Sequence, residues 1–187
     1  LFFAVRLLGR MADEYNPHAI HAMRILATRF PEPVRSQAIR AAEQLSRRPR
    51  NREFVNSLEK LTIGWIERRK VKCYYQASRS RRQHLYVVHP YFLEPVGPSF
   101  AAYVLGYEET YFRDVITLKV ERMSGAVLLD ETFPGPDGFD PVRALENAWG
   151  IMWGRDTTRV RLRFSPQVAR RVKESQWHPS QRIEELP

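Results

Sequence analysis

The polarity pattern changes period near residue 70. Before that point apolar residues recur every three or four positions; after it they alternate. Phe3, Leu7, Leu8 and Met11 set the helical spacing in the first stretch. Asn16-Pro17 then supplies a cap and a first-turn proline for a helix carrying Ile20, Met23 and Ala27, with Ile25 and Leu26 beside them, which stops at Phe30-Pro-Glu-Pro33. Ile39, Ala42 and Leu45 predict a third helix, ended by Ser46-Arg-Arg-Pro-Arg50. A fourth, over about residues 52–69, carries Phe54, Leu58, Leu61, Ile63, Trp65 and Ile66 around most of its circumference. So wide an apolar face predicts burial on two sides, against the sheet that follows and against a second subunit.

The chain beyond Lys70 is organised around the stretch from His84 to Met123. A first strand, Val71-Lys-Cys-Tyr-Tyr-Gln76, leads through a basic loop (residues 77–83) into it. There Leu85, Val87, His89, Tyr91 and Leu93 alternate with His84, Tyr86, Val88 and Phe92, the period of a strand. Glu94-Pro-Val-Gly-Pro-Ser99 breaks the run, residues 102–107 begin another, and residues 114–123 form a third with Ile116, Leu118 and Val120 on one face. A compact antiparallel meander of this kind predicts a small barrel. Ser124-Gly125 predicts a hairpin turn into a strand at 126–130, and Asp140-Pro141 caps a helix to about Met152. Residues 157–164 alternate strictly, predicting a strand with Val160, Leu162 and Phe164 inward and Arg159, Arg161 and Arg163 outward. Ser165-Pro166 opens a last helix, and the stretch from Trp177 onward reads as a loop entering another strand.

Charge adds a partner to this outline. Thirty Lys and Arg against 21 Asp and Glu leave +9, unevenly spread. Seven bases (Arg68, Arg69, Lys70, Lys72, Arg79, Arg81, Arg82) and no acid lie between Arg68 and Leu93, whereas nine acids face three bases from Glu94 to Asp140. Such asymmetry fits an anionic partner at particular faces, or else an ordinary solvated surface. A single cysteine, Cys73, excludes an internal disulfide framework and a cysteine zinc site, and fits a reducing, cytoplasmic compartment. No apolar run is long enough to span a membrane. With no initiator Met and no obvious end at Glu-Glu-Leu-Pro187, the chain reads as a piece of something longer.

Catalytic chemistry finds little support. His18 and His21 share a helical face, but no neighbouring acid or cysteine completes a metal site. There is no Gly-rich phosphate loop, no Gly-x-Ser-x-Gly and no His-Glu-x-x-His, and the adjacent Asp130 and Glu131 point apart on a strand. The expectation is a protein that is not an enzyme, with no cofactor.

From Lys70 onward the sequence resembles the WYL-domain family of bacterial transcriptional regulators. The name-giving triplet falls on Ala102-Tyr103-Val104, with only the tyrosine kept. Val71-Lys-Cys-Tyr-Tyr75 resembles the family's opening strand, Val88-His-Pro-Tyr-Phe-Leu93 its Pro-x-x-Leu strand, and Leu118-Lys-Val-Glu-Arg-Met123 its Phe-Arg-Leu-Asp-Arg-Ile. Tyr107 ends the strand of the triplet; Phe133, Phe139-Asp140 and Trp149-Gly150 fit the helix that follows. Residues 158–181 are similar to the start of the C-terminal extension common after such domains, and the helical first third to the linker behind a winged helix-turn-helix. Ala102 and Ile116 depart from the family's Trp and Arg.

The resemblance implies an α+β chain in three parts: a helical linker and dimerisation segment (1–69), an Sm-like, SH3-type antiparallel β-barrel (70–154), and the start of an α/β extension (155–187). It also implies a homodimer that senses a nucleotide or single-stranded oligonucleotide and controls an attached helix-turn-helix, through which DNA is bound. Lys119 and Arg122 match the family's basic positions and are read as neighbours on one strand; Tyr91, Tyr103 and His89 offer stacking faces nearby, and Arg81 and Arg82 phosphate contacts from the loop. Tyr75 and Tyr107 read instead as packing residues, and Tyr103 fits either role. Two other readings stand beside this one: a purely structural homodimerisation module, and a protein whose main function is direct single-stranded nucleic-acid binding.

Overall fold

The computed structural model describes residues 2–4, 7, 15–96, 101–136, 138–146, 148–154 and 156–186. Leu8 and Met11 of the first predicted helix, and Gly97, Pro98 and Ser99 of the predicted turn, lie outside the described residues. The chain divides into two compact units, residues 1–135 and 136–187.

The first unit opens with a helical hairpin. Helix α1 (Pro17–Ala27) is capped by Asn16, whose side-chain oxygen accepts from the Ala19 N–H at 3.0 Å. Helix α2 (Val34–Ser46) presents Ala38, Ala41, Ala42 and Leu45 to Ile20, Met23, Ala27 and Phe30. The small side chains of α2 form the buried stripe, whereas Ile39, predicted to lie on it, is 38% exposed. Helix α3 (Arg52–Glu67) is capped by Asn51 and ends where Arg68 turns left-handed at φ 54°. Its inner face carries Leu61 into the core of the sheet, and Gly64 lets it lie against Arg69, Val71 and Pro90.

Strands β1 (Arg69–Tyr75), β2 (His84–Val96), β3 (Ala101–Glu108), β4 (Asp114–Lys119) and β5 (Met123–Thr132) form one antiparallel sheet in the order β4-β3-β2-β1-β5. The long β2 sets its shape. Residues 84–88 pair with β1, residues 88–96 pair with β3, and a bulge between Pro90 and Phe92 bends the strand between the two roles. The concave face collects Val71, Cys73, Tyr75, Tyr86, Val88, Val104, Leu118, Val120, Met123 and Ala126 around Leu61. Each fully buried aliphatic side chain there contributes about 1.5–3 kcal/mol.

The fold is α+β, as the sequence predicts, but the barrel is not closed. Among the described residues no ladder joins β4 to β5, so the sheet is a curled, open one. A three-residue 3₁₀ turn (Val120–Arg122) links these strands where a continuous strand to Met123 was expected. Val120 and Met123 are both buried, and residues three apart share a face in a 3₁₀ turn but oppose each other in a strand. Gly125, expected in a hairpin turn, instead lies inside β5 with φ 57°.

In the second unit Asp140 caps α4 (Pro141–Leu145) through the Val142 and Arg143 N–H groups, but that helix stops at Leu145, well short of Met152. Trp149 and Met152 form an isolated bridge instead, with Gly150 left-handed between them. Helix α5 (Pro166–Lys173) follows Ser165 as expected. The strand predicted over 157–164 does not form: Val160 is 72% exposed and Leu162 68%, and no strand occurs among the described residues of 157–186. Alternation specifies a pleat, but a strand also needs a neighbouring edge to satisfy its backbone.

Candidate nucleic-acid interface

The residues singled out from sequence fall into two groups. The first gathers where β1 turns toward β2. Tyr75, buried at the end of β1, stacks on Tyr86 with centroids 5.5 Å apart, and its hydroxyl accepts from the Lys119 N–H at 3.3 Å. One residue on, the Gln76 N–H donates to the Arg122 carbonyl at 3.2 Å. These two contacts bring the end of β4, the 3₁₀ turn and the basic loop together. Lys119 closes β4 and Arg122 lies in the turn, so they are not successive parts of one strand as predicted.

An open cleft of about 400 Å³ lies here, lined by Gln76, Ser80, Gln83, Glu121, Arg122 and Ser124 among others. The loop over it is ordered by its own polar groups: Gln76 donates to the Ser80 carbonyl, and the Ser80 hydroxyl donates to the Arg82 carbonyl while accepting from its N–H. Arg79, Arg81 and Arg82 are exposed on that loop, and Arg122 is exposed beside it. None of these four, nor Lys119, enters an ion pair among the described residues. Tyr103 sits in register with Lys119 on one side and Glu94 on the other, all three half-buried and turned away from the core. Burial pushes the Glu94 carboxyl up. Glu121 accepts from the Ala102 N–H at 3.0 Å through one oxygen.

His89 and Tyr91 belong to the second group. His89 pairs with Tyr107, four residues along β3 from Tyr103 and about 13 Å away at the rise of a strand. Its Nε2 lies 2.8 Å from a Glu109 carboxylate oxygen, and Lys70 Nζ lies 2.9 Å from the same oxygen. The imidazole stacks on Phe133 at 4.9 Å, and Tyr91 meets the same ring at 5.8 Å. Burial opposes ionisation of Glu109, but Lys70 and His89 outweigh it and hold the carboxyl below the usual range; the bond to Glu109 in turn raises Lys70. This group is already satisfied internally. Sequence reasoning missed Lys70, Glu109 and Phe133 because they come from three strands or strand ends, with no local spacing to join them.

It also missed the β3–β4 turn. Glu108 is wholly buried, and its carboxylate accepts from the N–H groups of Thr110, Tyr111 and Phe112 at 2.8, 2.8 and 2.9 Å. Burial disfavours the charge, yet these three donors more than compensate and the carboxyl is held low. The turn thereby presents Tyr111 and Phe112, 59% and 57% exposed. Two aromatics in the middle of a tight turn, where Gly, Asn and Asp are usual, were the available signal.

Residues 56–128, from within α3 to within β5, match the WYL domain family. This is the family that the strand motifs resemble. The match takes in the curled sheet, the 3₁₀ turn and the cleft beside Arg122. Two solved structures are similar to the chain at low identity. Proteasome accessory factor B/C (PafBC) of Arthrobacter aurescens is 12% identical, with a TM-score of 0.41, over 64% of this chain and 21% of that one. A CRISPR Cas-related protein is 9% identical, with a TM-score of 0.37, over 63% of this chain and 41% of that one. No curated protein matches the chain. No helix among the described residues is long and apolar enough to cross a membrane, and no group of three or more His, Cys, Asp or Glu among them is placed to hold a metal ion.

Proposed function

We propose that this chain is the ligand-sensing regulatory part of a transcriptional regulator, and that its WYL domain binds a nucleotide or single-stranded oligonucleotide and controls an attached helix-turn-helix. The observation that carries the reading is Arg122 lining an open cleft within the WYL match, walled by the loop that bears Arg79, Arg81 and Arg82 and near Lys119 at the end of β4, with no ion pair to any of these bases among the described residues. Phosphates satisfy such cations, and Tyr103, in register with Lys119, supplies a ring. The test is fluorescence anisotropy of short labelled single-stranded DNA and RNA at two salt concentrations, with Arg122→Ala and Lys119→Ala alongside. Affinity falls steeply with salt, and each substitution weakens binding and flattens the salt dependence by about one phosphate contact. Binding by both variants equal to that of the parent chain refutes this placement of the site.

A second reading is a homodimerisation module, favoured by Ile66, 74% exposed, and Trp65, 38% exposed, at the C-terminal end of α3. It is distinguished by a dimer that forms without ligand and is indifferent to Arg122→Ala.

A further inference from the structure

The reading of the cleft as a phosphate site leaves unused an exposed aromatic cluster of the sheet unit. Tyr111 meets His84 edge-on at 5.5 Å and Tyr86 at 5.7 Å, and Phe112 meets Tyr86 edge-on at 6.0 Å. Tyr86 lies beneath them, buried and stacked on Tyr75. His84 follows the basic loop directly, with Arg82 and Arg81 two and three residues before it. The Tyr75–Tyr86 stack therefore has the Lys119 N–H at one end and the exposed Tyr111 and Phe112 rings at the other, and the arginine loop lies at the same end of the sheet.

Two aromatics more than half exposed cost hydration, and here they are held rigidly rather than left loose. Glu108 fixes the backbone N–H of both, Val87 donates to the Thr110 hydroxyl and accepts from the Glu109 N–H, and Arg113 closes the turn at φ 48°. A ring with an open face beside a cationic loop matches an anionic polymer carrying flat groups. A base covers the ring, the loop meets the phosphates, and little side-chain freedom remains to be lost on binding.

We propose that Tyr111 and Phe112, buttressed by His84 and Tyr86, form a stacking shelf for an unpaired base of a single-stranded nucleic acid whose flanking phosphates are held by Arg79, Arg81 and Arg82. The proposal rests on the reading above that the chain binds nucleotides or single strands, and it adds a second contact outside the cleft. It makes the preferred ligand an oligonucleotide long enough to cross the loop rather than a mononucleotide.

The experiment is anisotropy of a labelled single strand and of an abasic strand of the same length, with the whole chain and with Tyr111→Ala, Phe112→Ala, Tyr111→Phe and Arg122→Ala. Tyr111→Ala and Phe112→Ala each weaken binding of the base-bearing strand about tenfold, within the range of one stacked base, and leave its salt slope unchanged. Tyr111→Phe binds like the parent chain. The abasic strand binds the parent chain and the two alanine variants alike. The shelf is overturned if the alanine variants bind the base-bearing strand normally, or lose the abasic strand equally; the cleft survives either result provided that Arg122→Ala is weak. No binding of any strand by the parent chain removes both. Self-association abolished by Tyr111→Ala, with strand binding intact, reassigns the rings to a protein contact. Both rings are exposed, so circular dichroism of the alanine variants should match that of the parent chain.

Discussion

Glu108→Ala is the sharpest test of how the sheet holds its exposed turn. The carboxylate is buried, and its three bonds all go to consecutive backbone N–H groups of the turn. A hydrogen bond to a charged group contributes about 1.5–3 kcal/mol net. Three would suggest a large loss, but the turn is at the surface, and water can reach some of the freed N–H groups. We therefore expect roughly 2–4 kcal/mol, the strain at Arg113 no longer being balanced and a cavity remaining under Tyr86. For a chain of this length that corresponds to a fall in Tm of roughly 4–16 °C. Glu108→Gln separates geometry from charge. Two of the donors, Tyr111 and Phe112, share one oxygen, which an amide oxygen can replace; Thr110 would then face an amide NH₂, donor against donor. Its cost should be about half that of alanine. Urea unfolding followed by circular dichroism measures both, and a loss under about 0.5 kcal/mol for alanine, the range of an ordinary surface substitution, would refute the argument.

The same group makes a pH prediction. Glu108 is held below its unfolded value, so the unfolded chain takes up its proton first as the solution is acidified. Its contribution is complete above the unfolded carboxyl value, about 4.3, and is lost as pH falls through the lower folded value. Below about pH 5 the parent chain should therefore lose stability more steeply than Glu108→Gln. Glu109, also held low, titrates in both proteins and cancels in the comparison.

Packing and reactivity give further checks. A Cβ on Gly106 would stand 2.4 Å from the His89 carbonyl oxygen, and one on Gly64 2.7 Å from that of Arg69, so Gly106→Ala and Gly64→Ala should each cost about 3 kcal/mol by urea midpoint. Gly154→Ala, with nothing within 4 Å, should stay within about 0.5 kcal/mol of the parent. Burial and the nearby Glu108 push the Cys73 thiol up to about 12, so it should resist a thiol reagent at pH 8 in the folded chain and react freely in denaturant. Rapid labelling of the folded protein would contradict the placement of β1.

Much of this fold could be read from periodicity. The stripes of α1 and α3, the polar punctuation between strands and the order of the meander are local properties, and Ile20, Met23, Leu61, Val71 and Leu118 are buried as their spacing requires. What escaped was set by contacts distant in sequence. Ile39 was read as part of the α2 stripe, yet the side that packs is lined by alanines, because close approach to α1 favours small groups over large ones there. The 3₁₀ turn hides within an alternating run, and only the burial of both Val120 and Met123 distinguishes it from a strand. Residues 157–164 have the pattern of a strand, but pattern alone does not supply the edge against which one forms.

The interface divides along the same line. Basic and aromatic residues suitable for a single strand are visible in composition, but composition does not say which of them meet. Lys119 and Tyr75 are joined across 44 positions because the bulge after Pro90 curls β2 and returns the end of β4 to the end of β1. The same curl leaves His89 and Tyr91 against Phe133, where Glu109, itself held by Lys70, already bonds the imidazole. Binding free energy from His89 would require breaking that hydrogen bond within a half-buried site, whereas Arg122 and the loop arginines need shed only water and counterions. Tyr111 and Phe112 stand on the favourable side of this contrast. Glu108 already fixes the backbone that carries their rings, and Tyr86 packs against both, so much of the ordering that a stacking contact needs is completed when the turn folds, before any ligand arrives.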